Sequence, residues 1–181
     1  MVSSVATSAN AAQAPGAGLP RWLLPRWESE AARRRRRAPA AVVALTVAAI
    51  GAAHVAWGWG SSWPLADPEQ LVRTVVGERG LAALPPPLAC FAVAGALFAV
   101  ASGAVARVSE DPRARLAGHL VVRGAAAVFA LRGVGGLALS LVAPGLATPE
   151  FAWWNLVLYS PLCLALAAGL VWISAGAARP A

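Results

Sequence analysis

The sequence contains no lysine, and its positive charge rests on fifteen arginines against eight acidic residues. Charged residues make up only 13% of the 181 positions, whereas an ordinary soluble domain carries about 25%. A water-soluble enzyme is therefore a poor fit. Cysteine is limited to Cys90 and Cys163, both inside apolar stretches, which excludes a disulfide framework and a thiolate metal centre and leaves two small core residues. The two histidines, His54 and His119, are isolated from acids and thiols. No metal and no cofactor are expected, because a site needs three or four ligands. Catalytic dyads and phosphate loops are missing, and Gly133-Val134-Gly135-Gly136 sits within an apolar run rather than after a strand. No catalytic residue is singled out, and an enzyme is the least favoured class. Internal repeats are absent too. The missing lysine, with heavy use of Ala, Gly, Arg and Pro, reads as the codon bias of a GC-rich bacterial genome.

What the chain has is apolar length: 59% hydrophobic residues and a mean hydropathy of +0.63. Residues 38–57 are uncharged, and twenty residues at ~1.5 Å each make about 30 Å, the hydrocarbon thickness of a bilayer. A cleaved signal peptide would have a shorter apolar region nearer the start, so this is expected to be a retained first span. Further spans are expected at 88–106, 118–142 and 153–175, the third carrying His119, Arg123 and Arg132. The predicted fold is all-α, a four-span transmembrane bundle over 38–178 with residues 1–37 as a disordered basic tail. Within the tail, Arg33, Arg34, Arg35, Arg36 and Arg37, with Trp22 and Trp27 upstream, suit anionic lipid headgroups. Because the run abuts an apolar segment, it reads as a topogenic flank and not as a nucleic-acid arm.

Arginine distribution sets the expected orientation. Four crossings put Arg33 to Arg37, Arg113, Arg115 and Arg179 on one side and only Arg73 and Arg79 on the other, predicting cytoplasmic N- and C-termini. Trp57, Trp59, Trp63, Trp153 and Trp154 would mark the outer boundary and Trp172 the inner one. In the outer loop, 58–87, Asp67-Pro68-Glu69 is a helix start and Gly77 a stop. A short helix is expected there, presenting Leu71, Val72, Val75 and Val76 on one face and lying on or capping the bundle.

Arg132 is the residue that composition does not explain. It lies about fourteen residues into the third span, too deep to snorkel like Arg123, where a charge costs at least ~2.5 to 3.5 kcal/mol unless paired or hydrated. It is expected to face the bundle interior, with Gly135 and Gly136 leaving room beside it and Gly124, Val128, Gly136 and Ser140 on its stripe. The spans hold no carboxylate. Its expected partners are therefore neutral: Asn155 and Tyr159, one α-turn apart; His54; and the Val157 carbonyl freed by Pro161. Glu150, Asp67 and Glu69 are the nearest loop acids. Gly95, Ala99 and Gly103 form a small-residue stripe on the second span, read as packing.

Several blocks resemble one family. They are His54-Val55-Ala56-Trp57-Gly58-Trp59-Gly60, then Trp63-Pro64, the proline-led start at Pro86-Pro87, the intramembrane Arg132, and Tyr159-Ser160-Pro161-Leu162-Cys163. Together they are similar to small bacterial four-helix integral membrane proteins of domain-of-unknown-function family 3995, over residues 40–175. The resemblance implies a fold and a location in the bacterial plasma membrane, and no activity. Two readings of function follow. In one, Arg132, His54, Asn155 and Tyr159 hold or pass a small polar or anionic ligand. In the other, the chain is a structural or accessory subunit whose polar cluster fixes helix packing. Four spans without a repeat favour a homo-oligomer or a membrane partner over a lone transporter.

Overall fold

The structure, a computed structural model, describes residues 30–78 and 84–175. Trp22, Trp27, Arg79 and Arg179 lie outside the described residues. Among the described residues there are four long helical segments: α1 (Glu30–Gly58), α3 (Pro87–Arg107), α4 (Pro112–Val142) and a fourth running from Pro149 to Ser174. The fourth is α5 (Pro149–Trp154), a π-helical turn (Asn155–Tyr159) and α6 (Ser160–Ser174) in continuous succession. The loop after α1 carries α2 (Pro68–Leu71), which passes into another π turn (Val72–Val76), the first of the two in chain order. Among the described residues there is no strand. All four long segments are long and apolar enough to cross a membrane, and they expose large apolar side chains such as Leu45, Leu88, Leu131 and Val142.

The helix ends follow local chemistry. Asp67 accepts the Gln70 N–H at 2.8 Å and Pro68 fills the first helical position, while Gly77, at φ 82°, stops the π turn. Asp111 accepts from the N–H groups of Arg113 and Ala114, so α4 begins at Pro112, six residues before the expected boundary at 118. Thr148 caps the fourth segment and starts it at Pro149 rather than 153. α3 differs from expectation by one residue at each end.

The larger correction is at the arginine run. Helix α1 starts at Glu30, so Arg33 to Arg37 are helical and do not belong to an unstructured tail. Ala, Glu and Arg are good helix formers, and Glu30 pairs with Arg34 one turn on at 2.6 Å. Tertiary contacts hold this extension. Arg36 donates to the carbonyls of Trp172 and Ile173 at the C-terminus of α6 and lies over the Trp172 ring, and Arg37 meets Glu110 at 3.1 Å in the α3–α4 turn. Cations at a helix C-terminus gain from its unpaired carbonyls. The buried Arg107 adds a bond to the Ser174 carbonyl at 3.3 Å.

The bundle is assembled from two tight pairs, α1 with α3 and α4 with α6, joined chiefly by α3 against α4. Gly118 meets the backbone of α3 at Gly103 and Arg107, and Gly103 meets the Val121 side chain; a Cβ at either would overlap its neighbour. Gly95, on the same expected stripe as Gly103, has open space beside it, so the stripe packs at one end only. The contiguous apolar core, including Val43, Val47, Ala104, Val122, Leu170 and Ile173, occupies the half of the bundle nearer the arginine end. The other half ends in tryptophans: Trp57 donates to the Trp63 carbonyl at 2.7 Å, Trp59 packs edge-on against Phe91, and Trp153 and Trp154 open the fourth segment. Cys90 and Cys163 are both free thiols.

Candidate functional site

In the half of the molecule away from the apolar core, polar side chains replace hydrophobic packing. Asn155, fully buried, sits on the first residue of the second π turn and joins two helices. Its amide nitrogen donates to the Gly136 carbonyl and to Ser140 Oγ, each at 2.7 Å. Its amide oxygen accepts from Arg132 Nη1 at 3.0 Å and from Ser160 Oγ at 3.1 Å. The amide thus uses both of its chemical ends, and the α4 face from Arg132 to Ser140 is stitched to the fourth segment. Gly136 makes the approach feasible: a Cβ there would overlap the Arg132 guanidinium and Ser160 Oγ. Gly133 allows the same closeness against Leu164 and the Ser160 carbonyl.

Arg132 is hydrogen-bonded as expected but is not buried. It is exposed at the rim of a cavity of about 430 Å³ whose other walls include Val75, Val76, Leu131, Leu139 and Phe151. Its guanidinium carbon stands 6.0 Å from the Phe151 ring centroid, at the edge of a cation–π contact. The reason for the exposure is geometric. Gly135, beside it, meets nothing within 4 Å, and Leu131 and Val134 are exposed, so no described helix covers this side of α4. No carboxylate lines the cavity. The loop acids are engaged elsewhere, Glu150 and Glu69 with Arg73 at 2.7 and 4.0 Å and Asp67 at its cap.

Three expected partners are not engaged by Arg132. Tyr159 donates to the Thr74 carbonyl at 3.2 Å, pinning the first π turn to the second, and makes no bond to Arg132. The π turn explains this. Asn155 and Tyr159 would share a face in an α-helix, but the i→i+5 register aligns Asn155 with Ser160 instead and rotates Tyr159 toward the loop. His54 bonds through Nδ1 to the Ile50 carbonyl of its own helix at 2.8 Å and meets the Trp57 ring, tilted, at 4.7 Å, on α1, which packs chiefly against α3. The Val157 carbonyl freed by Pro161 is not bonded by Arg132 either, whose hydrogen bond goes to Asn155.

The loop segment closes one side of the cavity. Leu71 and Val72 are buried, Val75 and Val76 half-buried, so the segment caps the bundle. Thr148 Oγ1 donates to the Arg73 carbonyl, the Thr148 N–H donates to the Gly77 carbonyl at 3.0 Å, and a Cβ on Gly77 would strike the Phe151 ring. Ser160, noted only as part of a family block, and Phe151 and Thr148 were not expected beside Arg132. Ser160 lies about 140° around an ideal α-helix from Asn155, at 100° per residue, so only the π register brings it in. Ser140, by contrast, was legible on the Arg132–Gly136 stripe. Both segments that bend around the cavity are π-helical, a departure from the α-helix that recurs at functional sites.

Among the described residues no group of three or more His, Cys, Asp or Glu side chains is placed to hold a metal. The model of the family described as protein of unknown function (DUF3995) matches residues 45–170, which include α3, α4, parts of α1 and α6, the loop segment and every member of the Asn155 network. No curated protein and no solved structure matches the chain.

Proposed function

The chain belongs to the DUF3995 family, and from that premise we propose that it is a plasma-membrane protein of a bacterium, with both termini cytoplasmic, whose Arg132 cavity binds a small organic anion. The observation that carries the reading is the state of the guanidinium. Arg132 donates one hydrogen bond, to a neutral amide, and its remaining N–H groups border a cavity with no acid in its walls. A cation on a membrane-spanning helix, about ten residues or 15 Å from the helix end at Val142, is costly without a counter-charge. A planar carboxylate suits the unused fork of the guanidinium. The apolar walls, Val75, Val76, Leu131, Leu139 and Phe151, suit a short hydrocarbon body on that carboxylate. The orientation rests on the arginines gathered around the N-terminus of α1 and the α3–α4 turn.

The test is thermal unfolding of the purified protein in detergent against a series of monocarboxylates of increasing chain length. Saturating ligand at 100 times its Kd should stabilise by about 2.7 kcal/mol. Arg132→Leu should remain folded and lose this gain, and Arg132→Lys should recover only part of it, because an ammonium has no fork. A carboxylate response unchanged by Arg132→Leu would overturn the reading.

The second reading, a packing lock without ligand, is favoured by the burial of Asn155 and by its four hydrogen bonds. Under it, Arg132→Leu is neutral or stabilising and no carboxylate shifts the unfolding temperature.

A further inference from the structure

A second concavity, independent of Arg132, runs between α1 and α3 over the half of the bundle at the arginine end. It encloses about 870 Å³ and opens sideways. Ala44 and Ala101 form its floor, Leu45, Ala48 and Phe98 flank it, and Arg37 stands at its end. Along α1, Arg37 to Ala48 is eleven residues, about 16 Å at ~1.5 Å each, or roughly half of a ~30 Å hydrocarbon core. The groove is thus apolar over the depth of one leaflet and cationic where that leaflet's headgroups lie. Apart from Ser109 in the α3–α4 turn at the charged mouth, one polar group interrupts the apolar wall. Ser102 is exposed to the groove, and its hydroxyl makes no hydrogen bond to a described residue. It lies five residues, about 7 Å, from the end of α3 at Arg107, between the charged mouth and the apolar floor.

We propose that this groove holds one anionic phospholipid of the leaflet at the arginine end, its phosphate on Arg37, an ester carbonyl on the Ser102 hydroxyl, and an acyl chain against Leu45, Ala48 and Phe98. The polarity order along the groove, cation, hydroxyl, hydrocarbon, is that of a glycerophospholipid read from headgroup to tail. The competing partner of Arg37 is weak: Glu110 meets it at 3.1 Å with both side chains more than half exposed, and such pairs contribute little. A phosphate carrying its own apolar anchor displaces it.

The full-length protein in detergent, stripped of lipid, is to be melted with added phosphatidylglycerol, with phosphatidylcholine of the same chains, and with soluble glycerol phosphate. Phosphatidylglycerol should raise the unfolding temperature more than phosphatidylcholine does, and glycerol phosphate should have no effect. Arg37→Gln should reduce the phosphatidylglycerol gain to the phosphatidylcholine level, while Glu110→Gln, which frees Arg37, should preserve or enlarge it. Ala48→Leu, which fills the groove, should remove the gain from both lipids. Where Ala48→Leu does not fold, native mass spectrometry decides: one phosphatidylglycerol retained on the wild type and lost on Arg37→Gln. Equal gains from the two lipids, a gain from glycerol phosphate, or an Arg37→Gln protein that still prefers phosphatidylglycerol would overturn the proposal.

Discussion

Removing the Asn155 amide would strand four partners at once: Arg132, Ser160, Ser140 and the Gly136 carbonyl. Side-chain hydrogen bonds between membrane helices average about 0.6 kcal/mol, so Asn155→Leu should cost about 2 kcal/mol in detergent unfolding. An unchanged midpoint would show the network to be energetically idle. The neighbouring glycines separate two effects that the sequence runs together. Gly136→Ala should destabilise and disturb the Arg132 bond, while Gly135→Ala, whose Cβ meets open space, should be tolerated. At the other end, His119 is buried and neither ring nitrogen has a hydrogen-bond partner among the described residues. An unsatisfied buried polar group costs about 1 to 3 kcal/mol, so His119→Leu should raise the unfolding temperature. A lowered one would mean that the imidazole is satisfied from outside the chain. The attraction of Arg132 to Asn155 was legible because the spans contain no acid and Asn155 is their strongest neutral acceptor. The exclusion of His54 was not, since it depends on which helices are diagonal, and nothing in a list of spans fixes that.

Among the elements, the loop segment Pro68–Val76 shows where sequence reading succeeds and stops. Its cap, its first proline and its terminating glycine are local, and all three are where the composition put them. Its π turn is not local. That turn is accompanied by bonds from Thr148 and Tyr159 to the carbonyls of Arg73 and Thr74, from residues more than seventy positions away. Tyr159→Phe should therefore leave the bundle folded and raise the rate of proteolytic cleavage within 58–87, which mass mapping of the fragments would reveal. Unaltered cleavage would mean that the Thr148 bonds hold the segment by themselves. The helical start of α1 was missed for a related reason. Five consecutive arginines look like a solvated run, and the contacts that hold Arg36, the C-terminal carbonyls of α6 and the Trp172 ring, lie far away in sequence.

The whole molecule divides by the kind of interaction that holds it. Near the arginine end, alanine, valine and leucine side chains from all four long segments pack into one apolar core. Toward the tryptophan end, cohesion passes to hydrogen bonds around Asn155 and Thr148 and to a short capping segment beside an open cavity. The four-span architecture was legible because twenty-residue apolar runs have few other physical outcomes. This division was legible only in part: Arg132, His54, Asn155 and Tyr159 all fall in the outer halves of their spans, but the open cavity beside them depends on how the helices pack. Its consequence belongs to time and not to shape. Backbone amides of 101–108, 120–126 and 164–173 should be the last to exchange with deuterium, and those of 133–140 and 152–159 should exchange sooner, so that the same helix keeps two different clocks along its length.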